Sequence, residues 1–189
     1  MTSETLNTLI IRIYPGESGE FTLYEGKNSN TVVSAKVLNY FSEMRENVES
    51  AYYGFYFMEL AGYYTREGQD ERDMLKLLYQ TLRALLNPRL PNRLIRVVYE
   101  LKTICINGEA PQVFQCVSCG KKEESMRFSP LKGGLVCKAC EKAAPDLIEL
   151  DTSAVYTMQY IETSTIEKLY TFLVSDRVLE ELRTVMERY

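Results

Sequence analysis

Four cysteines in two Cys-x-x-Cys pairs constrain this chain more than any other feature of its sequence. The pairs are Cys116/Cys119 and Cys137/Cys140, and 17 residues separate them. Each pair typically forms a tight knuckle that directs two thiolates to one point, so two knuckles supply the four sulfurs of a tetrahedral zinc site. The chain contains no histidine, so a site of this kind is all-cysteine. Four thiolates leave no open position on the ion, which predicts one structural zinc per chain.

Other interpretations of the cysteines fit the sequence less well. A thioredoxin-like pair needs one Cys-x-x-Cys at the start of a helix in a βαβ unit, whereas here two pairs share a short stretch. Two disulfides need an oxidising compartment, but no signal segment opens the chain and a fifth cysteine, Cys105, stays unpaired. Thiolates also bind iron–sulfur clusters, although ribbon-like spacing favours zinc. We therefore expect a cytoplasmic protein, with Cys105 as a small buried hydrophobic residue.

Charge is segregated along the chain. The net charge of −4 by itself argues against a dedicated nucleic-acid binder. Residues 83–142, however, carry eleven basic and five acidic side chains, a net charge of +6, whereas residues 1–82 and 143–189 each carry −5. The segment with the predicted metal ligands is therefore the basic one. No apolar run approaches the roughly 18 residues of a membrane span, which predicts a protein without a membrane partner.

The first 34 residues predict a short β segment, with strands at Leu9–Tyr14, Phe21–Glu25 and Thr31–Val33. From residue 35 the apolar residues recur at steps of four and three, which predicts a long amphipathic helix. Its predicted buried face comprises Val37, Phe41, Met44, Val48, Ala51, Phe55 and Met58. Five tyrosines widen this face. Such aromatics can stack on bases, but at helical spacing they are more typical of a core: Tyr52, Tyr53, Tyr56, Tyr63 and Tyr64.

The rest of the chain predicts further helices and one insert. Apolar stripes indicate a second helix from Met74 to Leu85 and a third from Leu94 to Cys105, and later helices start near Thr152 and at Ser175. Between them, Met126–Ser129 and residues 134–136 predict a hairpin that brings the second knuckle onto the first. The expected fold class is thus mainly α: a helical bundle over residues 35–189 with a zinc-ribbon-like insert at residues 112–142.

Basic side chains form two candidate binding surfaces. Arg89, Arg93 and Arg96 are three to four residues apart, so they can share one ridge, which is either a solvated helix face or a site for anions or acidic peptides. Basic residues also crowd the insert, where they either offset the net charge of −2 of a zinc ion with four thiolates or bind phosphate. The candidates for contacts with nucleic acid are Lys121, Lys122, Arg127 and Lys132.

Several segments resemble the bacterial RecO family of DNA repair proteins. Residues 47–60 resemble the family's first long helix, and residues 21–41 resemble the join between its N-terminal barrel and its helices. The helix that leads into the insert is similar at residues 99–102, with Gly108 and Pro111 after it. The insert follows the pattern of members that keep all four zinc ligands, at residues 116–120, 128–130, 133–137 and Cys140.

This resemblance implies a recombination mediator. Such a protein loads recombinase onto single-stranded DNA coated by single-stranded DNA-binding protein, promotes strand annealing and has RecR as a partner. It also implies that the arginine ridge accepts the acidic tail of single-stranded DNA-binding protein. The family's N-terminal OB barrel supplies much of the DNA surface. Only 34 residues precede the predicted first helix, fewer than five strands need, so we expect a truncated or divergent barrel and weak DNA binding.

Two other functional classes remain open. A zinc-stapled module for protein interaction, without DNA affinity, is the main alternative to the mediator. An enzyme is disfavoured because the absence of histidine leaves scattered groups such as Glu59, Glu100 and Lys102 as candidates, and the last two point in different directions on a helix. We therefore expect no catalytic residues.

Overall fold

The computed structural model describes residues 18–25, 30–39, 41–66, 68–123 and 125–189. The predicted strand at Leu9–Tyr14 lies outside these residues. No helix in the described ranges is long and apolar enough to cross a membrane.

An antiparallel hairpin precedes the helices. Strand β1 (Ser18–Glu25) pairs with β2 (Asn30–Asn39), and the register shifts between Thr22 and Leu23, where β2 holds an additional residue. The predicted change from strand to helix at residue 35 is wrong, because β2 continues to Asn39. Residues 31–37 alternate as well as they fit a helical period, and pairing with β1 selects the extended form.

The first helix starts later than predicted. Phe41 has a left-handed backbone (φ 43°) and opens a 3₁₀ turn at Ser42–Arg45. Helix α1 (Val48–Tyr64) then begins at Asn47, whose side chain accepts a hydrogen bond from the Ser50 amide at 3.1 Å. An asparagine cap of this kind satisfies one of the free N–H groups at a helix start. The helix therefore cannot include the predicted positions before residue 48.

The predicted buried face of α1 is also wrong. The residues that this helix buries are Ser50, Gly54, Phe57 and Ala61. Val48 and Phe55, two members of the predicted stripe, are exposed, and so are Tyr52 and Tyr63. The helix is apolar around most of its circumference, so periodicity cannot select the face that packs.

Four further helices complete the bundle and agree with the predicted ones: α2 (Arg72–Leu85), α3 (Asn92–Ile106), α4 (Thr152–Thr163) and α5 (Asp176–Arg188). Helix α3 lies at the centre and contacts the other four. The fully buried ring of Tyr99 lies 4.6 Å from the ring of Phe57, and its hydroxyl donates to the Phe57 carbonyl oxygen at 2.8 Å. The helices α1 to α5 confirm the predicted, mainly helical fold class.

Helix α3 buries a lysine at the end of another helix. The Lys102 ammonium lies 3.1, 2.9 and 2.8 Å from the carbonyl oxygens of Ile161, Glu162 and Ser164, which include the last carbonyls of α4. Burial lowers the pKa of this lysine. The last carbonyls of a helix have no hydrogen-bond partner within the helix and carry partial negative charge. The ammonium donates to them and interacts favourably with the helix dipole. Lys102 thus joins α3 to α4.

We expect Lys102→Met to lower the free energy of unfolding by about 1–3 kcal/mol, because methionine fills the space but leaves buried carbonyl oxygens without a donor. Urea denaturation measures the change. Lys168→Met is the matched control, since Lys168 is an exposed lysine and its loss is expected to change stability by less than about 0.5 kcal/mol. Equal stabilities of the two variants would contradict the role of Lys102.

Candidate metal centre and charged cleft

The four paired cysteines come together at one point. Their sulfur atoms all lie within 4.8 Å of one another, and the Cys119 and Cys137 sulfurs are 3.6 Å apart. Four sulfurs bound at about 2.3 Å to one tetrahedral ion lie about 3.8 Å from each other. Cys116 and Cys137 are buried, and Cys119 is exposed. This donor set therefore fits a single metal ion, held by the four cysteines predicted from the sequence.

The first knuckle is closed by backbone hydrogen bonds. The Gly120 amide donates to the Cys116 carbonyl oxygen at 2.8 Å, and the Cys116 amide donates to the Lys121 carbonyl oxygen at 2.8 Å. Gly120 has φ +74°, a conformation that residues with a Cβ rarely adopt. The tight knuckle that the sequence predicts for the first pair of cysteines is thus present.

A hairpin carries the second knuckle, as predicted. Strand β3 (Met126–Ser129) pairs antiparallel with β4 (Gly134–Cys137), which ends on the third thiol and leads into a 3₁₀ turn at Lys138–Ala143. The Val117 amide donates to the Leu135 carbonyl oxygen at 2.7 Å, so the first knuckle is bonded directly to β4. The bond from Val117 to Leu135 therefore holds the first knuckle beside the strand that carries the second.

The backbone of Gln112 holds this hairpin in place. Its amide donates to the Gly133 carbonyl oxygen at 2.9 Å, and its carbonyl oxygen accepts from the Leu135 amide at 2.8 Å. A Cβ atom at Gly134 would lie 2.6 Å from the Gln112 carbonyl oxygen, so only glycine permits this approach.

The thiols of the cluster influence each other strongly. Burial by itself raises the pKa of Cys116, but backbone hydrogen bonds from Cys137, Ser118 and Cys119 outweigh it and lower the pKa to about 6. Hydrogen bonds to Cys119 and Cys137, together with burial, raise the pKa of Cys140 to about 12. Four thiolates so close together repel each other, and a bound dication removes that repulsion.

Cys105 is not part of this cluster. It is half-buried on α3, packs against the helical core, and burial raises its pKa to about 11. It behaves as the small hydrophobic residue that the sequence predicts.

The insert shares the core of the helices. Phe128 and Leu135 of the hairpin are fully buried in the same apolar cluster as the helices, and the Phe128 ring lies 5.7 Å from the ring of Tyr189 at the end of α5. A second, smaller cluster surrounds the thiols: Cys116, Val136, Cys137 and Ala144. The hairpin is thus part of the helical core, and only the knuckles pack apart from it.

The basic candidates of the insert have different surroundings. Lys121 and Lys122 are exposed, and Lys132 is partly exposed. Arg127 lies between two carboxylates, at 2.8 Å from Glu149 and 3.6 Å from Glu141. The two adjacent lysines are therefore more accessible to a phosphate than Arg127.

Two of the three predicted ridge arginines line a cleft. Arg93 and Arg96 of α3 border a cavity of about 400 Å³ between α1, α3 and α5, whereas Arg89 lies in the turn before α3 and does not border it. Helical spacing therefore applies only to Arg93 and Arg96. The other residues of this charged cleft are Tyr53, Val97, Glu100, Glu180, Arg183 and Glu187.

Ion pairs organise the charged cleft. The Arg96 guanidinium donates to Glu100 at 2.7 Å and lies 5.3 Å from the centre of the Tyr56 ring. Burial and a hydrogen bond to Glu100 raise the pKa of the Tyr56 hydroxyl to about 12. On α5, Arg183 pairs with both Glu180 and Glu187.

Arg183 is the site residue that sequence reasoning missed. Its spacing from Glu180 and Glu187 indicates ordinary ion pairs on a helix surface. Arg183 shares a cleft with Arg93 and Arg96 only because α5 packs beside α3.

The fold and site define a class of helical domain that carries a cluster of four cysteines, a candidate metal site, on and beside an inserted hairpin. The family described as Recombination protein O C terminal matches residues 45–189, which include the helices α1 to α5 and the cysteine insert but not the hairpin of β1 and β2. The chain is 33% identical over 172 residues to the DNA repair protein RecO of Acetivibrio thermocellus, an alignment that covers 90% of this chain and 68% of the relative. This chain belongs to the RecO family of DNA repair proteins.

Other relatives are more distant in sequence but align over similar lengths. The RecO of Alkaliphilus metalliredigens is 28% identical over 186 residues, which is 98% of this chain and 76% of the relative. The RecO of Bacillus pumilus is 26% identical over 171 residues, 90% of this chain and 66% of the relative. The similarity therefore extends through both the helices and the insert.

We expect Cys137→Ser to remove the bound metal, which elemental analysis of the purified protein detects. Trypsin should then cut faster at Lys121, Lys122 and Lys138, because these lysines flank the knuckles that the metal orders. The helical signal in circular dichroism should change little, since Phe128 keeps the hairpin in the main core. Cys105→Ser is the control and should retain the metal. Loss of most helical signal on chelation would contradict this division.

Proposed function

We propose that this RecO-family protein is a recombination mediator that acts by binding protein and DNA, loading recombinase onto coated single strands and promoting annealing. The supporting observation is the family match, which spans the helical bundle and the four-cysteine insert together. RecR is the proposed partner in loading. The relatives are bacterial DNA repair proteins, which supports a location in the cytoplasm at the nucleoid.

The proposed function involves no catalysis. Among the groups that the sequence offers for catalysis, Glu100 is bound by Arg96 and the Tyr56 hydroxyl, and Lys102 is bound by three carbonyl oxygens. Both therefore have structural partners, and the chain has no histidine to act as a general base.

We propose zinc as the metal of the four-cysteine centre. Four thiolates in a small closed cluster suit Zn²⁺ better than a hard cation, which prefers oxygen ligands. All four positions would be filled by protein, so the zinc would hold the two knuckles together and offer no site for a substrate.

DNA contacts are proposed for the exposed lysines of the insert. Lys121 and Lys122 follow the first knuckle and are exposed, and the partly exposed Lys132 lies on the turn of the hairpin. Arg127 is a weaker candidate because Glu141 and Glu149 already neutralise it. The alternative function is an interaction module without DNA affinity. The ion pairs of Arg127 and the net charge of −4 favour it.

Annealing and binding assays test the mediator proposal. We expect the protein to accelerate annealing of complementary strands coated by single-stranded DNA-binding protein. Lys121→Gln with Lys122→Gln should weaken binding to all single strands alike and lower the salt dependence by about one ion per lost contact. Lys168→Gln, a change at an exposed lysine outside the insert, is the control. No annealing, with no salt-dependent binding at all, would favour the interaction module.

The charged cleft is the proposed site for the acidic tail of single-stranded DNA-binding protein. Arg93 can pair with its carboxylates, and Tyr53 can contact its apolar end. Arg183 already pairs with Glu180 and Glu187. Arg96 is less available, because it already pairs with the buried Glu100.

We expect Arg93→Glu to weaken binding of a tail peptide by about tenfold or more, because it replaces a donor with a repelling charge. Fluorescence anisotropy with a labelled peptide measures the affinity. Arg89→Glu makes the same change in charge outside the cleft and should alter affinity less than about twofold. If the two variants bind the tail equally, the site lies elsewhere.

A further inference from the structure

Helix α1 presents an aromatic stripe on the side opposite to its buried face. Its members occur at steps of four, three, four and four residues, which places them within about 80° of one another around the helix. They are Val48, Tyr52, Phe55, Glu59 and Tyr63. Tyr52 is 71% exposed, Phe55 52% and Tyr63 81%. A surface helix normally turns polar residues to this side, so α1 has a second apolar face in addition to the one in the core.

The aromatic stripe is large enough to be a binding surface. Each aromatic side chain offers roughly 150–250 Å² of surface, so the exposed parts of three rings amount to several hundred Å². Contiguous apolar patches of about 300–600 Å² on a monomer are often functional. The stripe is about 22 Å long, which matches four turns of a partner helix.

Charge restricts what can bind there. Glu59 lies between Phe55 and Tyr63 within the stripe, and Glu49 is exposed on the first turn of the same helix. Helix α1 contains no lysine or arginine, and Arg66 lies beyond its end. A single strand of DNA stacking on these rings would bring phosphates to an acidic helix. A second copy of α1 carries no basic side chain that could pair with Glu59.

We propose that the aromatic stripe of α1 binds a basic amphipathic helix of a partner protein. Apolar side chains at steps of three and four residues fill the spaces between the rings, and a lysine or arginine beside them pairs with Glu59. This contact involves neither the metal centre nor the charged cleft, so it is independent of the proposed DNA and tail contacts.

A pair of synthetic peptides tests the proposal. Both are helical, about 18 residues long, with leucine at positions i, i+4, i+7 and i+11; one carries lysine on the flanking positions and the other glutamate. The basic peptide should bind the whole chain with micromolar affinity, and the acidic one should bind at least about tenfold more weakly. Fluorescence anisotropy measures both, with oligothymidylate as a third probe.

Variants locate the contact. Tyr52→Ser with Phe55→Ser should weaken binding of the basic peptide by at least about tenfold. Glu59→Lys should weaken binding of the basic peptide and strengthen binding of the acidic peptide. Tyr156→Ser, at an exposed tyrosine of α4, is the control and should change affinity less than about twofold.

Several outcomes would overturn the proposal. The basic peptide could fail to bind, or could bind the stripe variants and the parent chain equally. A dimer lost in the Tyr52→Ser, Phe55→Ser variant would assign the stripe to a second copy of the chain. Oligothymidylate binding lost in that variant would assign it to nucleic acid. A lower melting temperature of the variant, without peptide binding to the parent, would assign it to packing within the chain.

Discussion

The position of α3 at the centre of the bundle determines most of this structure. A helix that contacts four others must bury nearly its whole circumference, including polar positions that the sequence places on it. Glu100 and Lys102 are therefore buried, and each needs a partner, because an unpaired charge in a core costs several kcal/mol. Lys102 finds the terminal carbonyls of α4, and Glu100 finds Arg96 and Tyr56. The two groups thereby fix where α4 and α1 lie against α3.

Sequence patterns predicted α2 to α5 well because each has one apolar face and clear end signals. Ser175 precedes α5, and α2 ends at Leu85, as the sequence predicts. Periodicity failed at α1 for a physical reason: a helix apolar on two sides has no single face to detect. It failed again at residues 35–39, where the pattern fits a strand as well as a helix and pairing with β1 decides the conformation.

The candidate sites differ in the same way. The four cysteines were predictable from spacing alone, because the ligand chemistry itself demands that spacing. The charged cleft was not, since Arg183 reaches Arg93 and Arg96 only through the packing of α5 on α3. The ion pair of Arg127 with Glu149 was equally hidden, because Glu149 lies 22 positions away along the chain. Sites formed by residues close together in the sequence can thus be predicted, whereas contacts between side chains of different elements cannot.

The contact between Gln112 and Gly134 has a mechanical consequence. Because the hairpin is bound there through main-chain atoms, no side-chain rotation can absorb a displacement of the metal loop. A pull on the knuckles, such as a bound partner exerts, is passed through Gln112 to the chain segment that leaves α3. The hairpin and the segment that follows α3 are therefore coupled through main-chain bonds, so a displacement of the hairpin is transmitted to that segment.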